Sequence, residues 1–206
     1  MQLRYATELT SSEYVTRQAW REARLERCPA HPQGGCRFAR HGTYARVSPP
    51  GTRIARCYCP EAQQTFSLLP DCLAARYSGT LEEFEAAVRD RDGAPSLEAA
   101  VADYRLEIGL AGVLRWLRRR RQAVAVTLTL IRGLMPQLCP GRGSTLAEFQ
   151  HCLGVEWVLR ALRAEAAAHL QRLPPPLGFH PPVFRGGEAQ KRHQQRAGPD
   201  PPVHNS

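Results

Sequence analysis

The sequence CPAHPQGGCRFARHGTYARVSPPGTRIARCYCP, residues 28–60, contains four of the seven cysteines and two of the seven histidines of this chain. Cysteines and histidines clustered at short spacing are typical of a structural zinc site, in which four ligands surround the ion as a tetrahedron. Between the two clusters the chain has arginine, glycine and proline but no acidic residue. This pattern indicates a small β-module that contacts an anionic partner rather than a catalytic pocket. The candidate ligands are Cys28, His31, Cys36, Cys57 and Cys59.

The spacing of these candidates predicts how they meet. Cys28 and His31 have C-x-x-H spacing, so one tight turn directs both side chains to one point. Cys36 follows two glycines and is placed to replace or supplement His31. Cys57 and Cys59 are two residues apart, hence on one face of a strand.

Residues 25–75 resemble the zinc ribbons near the N-termini of bacterial transposases and of related transposase-like proteins of unknown function. In those proteins a C-P-x-C knuckle precedes a basic hairpin and a C-x-x-C-x-x-T-[FH]-[SA]-L-L-P segment. Cys28-Pro-Ala-His31 is similar to the first knuckle, with histidine for cysteine, and CPEAQQTFSLLP (59–70) is similar to the second segment. The resemblance implies a DNA-recognition part with a structural zinc ion.

One ligand position departs from that family. Ala62 stands where the family has its fourth ligand. Either Cys57 takes over, or Cys36 joins Cys28 and His31, or the site has been lost. A ribbon without metal would be held together by its apolar residues alone. These are Tyr44, Ile54, Tyr58, Phe66, Leu68 and Leu69.

Arginines flank a turn expected at residues 48–51, Ser-Pro-Pro-Gly. A two-stranded ribbon with arginine on one face lies along phosphates or enters a groove of DNA. The alternative is a hairpin face that contacts only water. The hairpin arginines assigned to nucleic acid are Arg37, Arg40, Arg46, Arg53 and Arg56.

Charge alternates strongly after the ribbon. Residues 80–103 carry seven acids and two arginines, whereas residues 105–121 carry six arginines and one glutamate. The stretch SLEAAVADYRLEIGLAGVLRWLRRRR, 96–121, resembles the helix-turn-helix of many transposases and repressors. The resemblance implies a first helix over 96–104, a turn over 105–109 and a recognition helix over 110–121. Arg115, Arg118 and Arg119 would then face DNA; the alternative is a solvated basic face on a helical bundle.

Helix-start signals support the remaining assignments. Thr80 with Glu83 and Thr145 with Glu148 both fit the capping box, and Ser96 is a further N-cap candidate. The sequence therefore predicts a mainly α fold with a small zinc-ribbon-like β-module, a helix-turn-helix and C-terminal helices. The expected segments are an N-terminal helical arm (1–26), the ribbon module (27–75), the helix-turn-helix (78–122), a C-terminal helical segment (123–173) and a disordered tail (174–206). Cys72, Cys139 and Cys152 have apolar neighbours and are expected to be small core residues.

Composition points to the class of partner. The net charge is +9 and the isoelectric point about 9.7, which favours an anionic partner. No apolar run is long enough for a membrane span and the first residues lack a signal peptide, so we expect no membrane association and a cytoplasmic location, with the nucleoid if DNA is bound.

The leading hypothesis is a transposon-derived or transposon-associated protein that binds double-stranded DNA. It is not expected to be an enzyme, because the chain after the helix-turn-helix is too short for a nuclease domain that holds Mg²⁺ through spaced acids. One alternative is a protein-interaction module, either a homodimer or a partner of a separately encoded recombinase. A further alternative is an enzyme that uses Cys57, Cys59 or a histidine as nucleophile or ligand.

Overall fold

The computed structural model describes residues 1–94, 110–141 and 143–180. Within these ranges, helices pack against a four-stranded sheet. The strands are β1 (Gln2–Tyr5), β2 (Ala39–Ala45), β3 (Arg53–Cys59) and β4 (Gln64–Pro70). The α-helices are α1 (Ser11–Thr16), α2 (Leu81–Gly93), α3 (Leu110–Leu134), α4 (Leu146–Leu153) and α5 (Val158–Glu165). Short 3-10 helices lie at Ala19–Arg21, Pro136–Leu138 and Ala167–His169.

The prediction of a mainly α fold is wrong. In the part of the chain that the structure describes, 41% of the residues are helical and 18% are in β-structure, so both kinds of structure contribute to the fold. Part of the reason is β1, which falls in the segment expected to be a helical arm. It pairs in parallel with β4, with Leu3 opposite Leu68. A strand whose partner lies more than sixty residues away has no local signal in the sequence.

The sheet has the order β1-β4-β3-β2. Strands β2, β3 and β4 form an antiparallel meander, and β1 adds the parallel edge. The register of β2 shifts between Arg40 and Thr43. Gly42 lies in this irregularity with φ of +77°, a conformation that glycine adopts without steric cost.

The two faces of the sheet contact different parts of the chain because side chains alternate along a strand. Ile54 and Leu69 belong to the large hydrophobic core formed with the helices. Their neighbours Ala55 and Leu68 pack on the other face, against the N-terminal segment around Tyr14. The large core therefore crosses the boundary expected between the ribbon and the helices.

The helix-turn-helix is not shown by the structure. Residues 95–109, which include its first helix and turn and Ser96, lie outside the described residues. The helix that begins at Leu110 does not end near Arg121, as a recognition helix would, but runs to Leu134. The physical reason is the sequence after Arg121, QAVAVTLTLIRGL, which has no proline and places apolar residues at helical spacing. The residues of this stretch that enter the large core are Val124, Leu128 and Ile131.

Local helix signals are confirmed where they were strongest. The capping boxes of Thr80 with Glu83 and of Thr145 with Glu148 are both formed. The arm expected to be helical over 1–26 has only one short α-helix, since α1 ends at Thr16 and Gln18 has a left-handed φ of +50°.

Two further features bear on the C-terminal part of the chain. Residues 174–180, assigned from sequence to the tail, contribute Leu177 and Phe179 to the large core, and residues 181–206 lie outside the described residues. Among the helices of the described residues, none has the length and apolar character needed to cross a bilayer.

Candidate metal centre and exposed arginines

Four side chains converge at one end of the sheet. Their potential ligand atoms, on Cys28, His31, Cys36 and Cys59, all lie within 4.8 Å of one another. Cys28 and His31 come from a single tight turn, in which the His31 N–H donates to the Cys28 carbonyl at 3.1 Å. The Gly34 N–H then donates to the His31 carbonyl at 2.9 Å, so a second turn returns the chain toward Cys36. The predicted spacing therefore produces the predicted convergence.

Cys59 reaches the group from the end of β3. It is fully buried, and its sulfur accepts a hydrogen bond from the Ala62 N–H at 3.4 Å. Ala62, which replaces the fourth ligand expected from the zinc-ribbon pattern, thus contributes its backbone N–H to the Cys59 sulfur. Cys36 supplies the fourth side chain of the group instead.

The distances from His31 to two of the cysteine sulfurs suit a zinc ion. Zinc bonds of about 2.3 Å to sulfur and 2.0–2.1 Å to nitrogen place tetrahedral ligand atoms about 3.5–3.8 Å apart. His31 Nδ1 lies 3.7 Å from the Cys28 sulfur and 3.4 Å from the Cys59 sulfur. Three cysteines and one histidine are also a donor set typical of structural zinc. The group is therefore compatible with a structural zinc site.

Neighbouring groups act differently on two of the thiols. Burial opposes ionisation of Cys28, but hydrogen bonds from His31 and from the Ala30 and His31 backbone lower its pKa to about 7. Desolvation by burial, together with the adjacent Cys28 and Cys59, raises the pKa of Cys36 to about 11. A metal ion must therefore displace a firmly held proton from Cys36, which is the usual condition for thiolate ligation.

An ion pair closes the outer side of the group. Arg37 donates from both its backbone N–H and its side-chain Nε to the Glu61 carboxylate, each at 3.1 Å. The same carboxylate lies 3.7 Å from the Cys59 sulfur. Arg37 and Glu61 thereby connect the segment after Cys36 to the turn after β3.

Cys57 does not join the group. It lies on the same face of β3 as Cys59, as predicted, but residues i and i+2 of a strand are about 6.6 Å apart along the chain. Cys57 is buried, and desolvation raises the pKa of its thiol. Cys72 is likewise a buried core residue, as expected, and burial raises its pKa to about 12.

Of the remaining two cysteines, Cys139 is a core residue as expected, but Cys152 is exposed. The two form a disulfide that was not predicted, with a Cα–Cα distance of 5.4 Å. Their separation of 13 residues gives no local sign of this pairing.

The arginines of the hairpin are mostly engaged within the protein. Arg40 donates to the carbonyls of Trp20 and Arg21, each at 2.6 Å. Arg46 donates to the carbonyls of Ala74 and Tyr77. The other three also have protein partners, which are Glu61 for Arg37, Thr43 for Arg53 and the ring of Tyr44 for Arg56.

The arginines on α3 behave differently. Arg115, Arg118 and Arg119 are exposed, and no described residue forms an ion pair with them. The helix carries six arginines and no acidic residue. Of the eight arginines assigned to nucleic acid from sequence, these three are the ones most available to a ligand.

Buried arginines form a structural set that sequence reasoning missed. They donate to carbonyls of the loop between β4 and α2, residues 71–80. Arg163 is fully buried and donates to the carbonyls of Leu73 and Pro176 at 3.1 and 2.9 Å. Desolvation lowers its pKa to about 10, which still leaves it charged at neutral pH.

Arg120 belongs to the same set. It is buried, lies 4.2 Å from the ring centroids of both Trp116 and Phe84, and donates to the Ser78 carbonyl at 3.3 Å. Arginines from the β2–β3 connection, α3 and α5 thus all donate to backbone carbonyls of this one loop. Within the run of four arginines at 118–121, only helical spacing distinguishes Arg120, which lies on the same face of α3 as the apolar residues Val113 and Leu117.

No family model, no curated protein and no solved structure matches this chain.

Proposed function

We propose that this protein binds double-stranded DNA through the exposed arginines of α3, and that Cys28, His31, Cys36 and Cys59 hold a structural zinc ion. The carrying observation is the arginine face of α3, formed by Arg115, Arg118 and Arg119 on a helix without acids. Each exposed guanidinium is a bidentate donor to phosphate or to guanine. The net charge of +9 adds a long-range attraction to the DNA polyanion.

The zinc ion, when bound, supplies a closed tetrahedral crosslink with no open position for a substrate. The residues around it act on the fold. Cys28 and Cys36 belong to the segment that precedes β2, and Cys59 ends β3, so the four ligands join the N-terminal segment to the end of the hairpin. Two of the ligands, Cys28 and Cys59, also pack with Phe66 in a small apolar cluster. Leu3, Leu25 and Phe38 pack against this cluster.

Metal content tests the zinc proposal, with a control that the chain itself provides. We expect purified wild-type protein to retain about one zinc ion per chain after dialysis, measured by atomic absorption, because four ligands close the site. Cys59→Ser should reduce the content several-fold. Cys57→Ser removes a buried cysteine from the same face of the same strand and should retain the ion. Loss of zinc in Cys57→Ser, or no zinc in the wild type, contradicts the assignment.

Salt-dependent binding tests the DNA proposal. We expect the affinity for a random-sequence duplex, measured by fluorescence anisotropy, to fall with salt at about −0.9 log units per phosphate neutralised. The variant Arg115→Gln/Arg118→Gln/Arg119→Gln should lower the slope by about 2 to 3. Its charge-matched control is Arg21→Gln/Arg24→Gln/Arg172→Gln, which alters three exposed arginines elsewhere on the surface. Equal effects of the two triple variants would show that net charge alone attracts the DNA.

A second candidate function is protein interaction. Val126 and Leu130 on α3 are 39% and 41% exposed and are separated by four residues, so they lie side by side on the helix. Two neighbouring exposed aliphatic residues suit a homodimer or a recombinase partner. Sedimentation velocity of the wild type and of Leu130→Glu checks this candidate. A wild-type dimer that dissociates in the variant supports it, and a monomeric wild type excludes the homodimer.

A further inference from the structure

We propose that the groove between α3 and the loop 76–78 takes an unpaired strand of DNA, so that the protein binds single-stranded DNA more tightly than duplex. This inference rests on the proposed function, because it shares the arginines of α3. It adds a second wall, Arg76 and Tyr77, and an apolar floor.

The groove consists of two adjoining cavities along one side of α3. The larger, of about 840 Å³, is lined by Arg76, Tyr77, Arg118 and Arg119 and by an apolar floor. The smaller, of about 370 Å³, is lined by Tyr77, Arg115, Trp116 and Arg119 among others. Tyr77 and Arg119 line both cavities. The two cavities are therefore parts of one continuous groove.

The dimensions of the groove fit a short strand. Its α3 wall extends from Gly112 in the smaller cavity to Val126 in the larger one. At a rise of 1.5 Å per residue this wall is about 21 Å long. Stacked nucleotides along one strand are about 3.4 Å apart, so about six of them match the wall.

Charge selects the ligand. Five arginines line the groove, and no acidic residue is among the described lining. Arg120 is buried, and the four exposed ones are Arg76 on the loop and Arg115, Arg118 and Arg119 on the helix. Arginines on both walls allow one phosphodiester backbone to be contacted from two sides. An acidic or neutral polypeptide strand lacks the regular charge that such a groove neutralises.

The floor distinguishes an unpaired strand from a duplex. It is formed by Ala123 and Val126 of α3 and by Pro174 and Pro175. Aliphatic groups of this kind gain free energy by covering sugars and base faces, which a single strand exposes to water. In a duplex the base faces are stacked on one another, and only phosphates would meet the rim of the groove. The floor therefore adds binding energy for the single strand alone.

The loop wall is held in place before any ligand arrives. Arg46 donates to the carbonyls of Ala74 and Tyr77, and Arg120 donates to that of Ser78. The Tyr77 ring packs on Phe84, with 4.9 Å between centroids. Arg76 itself has a left-handed φ of +58°, an uncommon conformation for a residue other than glycine. A wall fixed in this way loses little conformational entropy on binding.

Fluorescence anisotropy with a labelled thymidylate dodecamer and a 12-base-pair duplex, at the same low salt, tests the inference on the full chain. We expect the wild type to bind the dodecamer at least about fivefold more tightly. Val126→Glu places a carboxylate on the floor and should weaken dodecamer binding by about tenfold or more. Thr129→Glu places the same carboxylate at an exposed position of α3 outside the groove lining. It is the control and should change dodecamer binding less than about twofold. Arg76→Gln should weaken it by about threefold.

The outcomes separate this inference from the proposed function. If duplex binds with steep salt dependence while Val126→Glu and Arg76→Gln behave like Thr129→Glu, the groove inference is overturned and the duplex proposal stands. If neither DNA binds, both are overturned. Adenosine monophosphate that displaces the dodecamer at micromolar concentration also overturns the inference, since the groove would then be a pocket for a mononucleotide. Circular dichroism melting of each variant confirms that the fold is intact.

Discussion

The arginines of the β2–β3 hairpin and those of α3 have the same side chain but different partners. Arg40 and Arg46 donate to backbone carbonyls of the chain itself, whereas Arg115 and Arg118 are exposed on a helix. Arg120, in the same run as Arg118, lies buried between two aromatic rings. Counting the arginines of a segment therefore overestimates how many can bind a polyanion. The contacts of each arginine in the folded chain show whether it stabilises the structure or is available to a ligand.

The largest effect on stability is expected from Arg163→Ala. Truncation leaves a cavity and removes the donor from the carbonyls of Leu73 and Pro176. These losses exceed the relief from removing a buried charge, and we expect the free energy of unfolding to fall by about 4 kcal/mol. Urea denaturation measures it. A loss below about 1 kcal/mol would place Arg163 outside the structural set.

A smaller loss is expected from Arg46→Ala. Its guanidinium satisfies the carbonyls of Ala74 and Tyr77 but is only partly buried, so the free energy of unfolding should fall by about 2 kcal/mol. Duplex affinity, corrected for the unfolded fraction, should stay within about twofold. If duplex affinity falls while stability is unchanged, Arg46 belongs with the binding arginines.

Arg40→Ala should destabilise less again. Its two carbonyl partners, those of Trp20 and Arg21, lie at the N-terminal segment, and Arg40 is itself exposed. Water replaces the lost donor there, and we expect about 1 kcal/mol in the same urea experiment. A loss of stability as large as that of Arg163→Ala would mean that the stabilisation by these arginines does not depend on how exposed they are.

The smallest change in stability is expected from Arg115→Gln/Arg118→Gln/Arg119→Gln. The three side chains form no ion pair with any described residue, and the free energy of unfolding should change by less than about 0.5 kcal/mol. Thermal melting followed by circular dichroism measures it. Destabilisation above about 2 kcal/mol would remove the difference between the two groups of arginines.

The features that the sequence predicted well depend on neighbours in the chain. The C-x-x-H turn of Cys28 and His31 and the capping boxes at Thr80 and Thr145 form because their partners lie three residues apart. Cys36 and Cys59 were also candidates, but only the folded chain excludes Cys57 from the group. The spacing identifies the candidate ligands, but the geometry of the strand decides which of them come close enough to bind one ion.

The features that the sequence did not predict depend on distant partners. β1 pairs with β4 across more than sixty residues, and Arg46 meets Tyr77 across 31. The helix expected to end at Arg121 runs to Leu134, because a pattern of apolar residues and arginines fits a long helix as well as a short recognition helix. Local patterns specify which elements form, while the tertiary packing decides where each helix ends and which charged side chains stay in water.

The length of α3 gives one helix two levels of stability. Among the described residues, its first turns bury Val113 and Leu117 in a small cluster with Ala87, whereas Val124 and Leu128 enter the large core. Local opening costs least where few apolar contacts are lost. Amide hydrogens should therefore exchange with solvent faster in the first half of α3 than in the second. The arginines that face the groove lie in the faster half, so a bound strand would be detected as slowed exchange in that half alone.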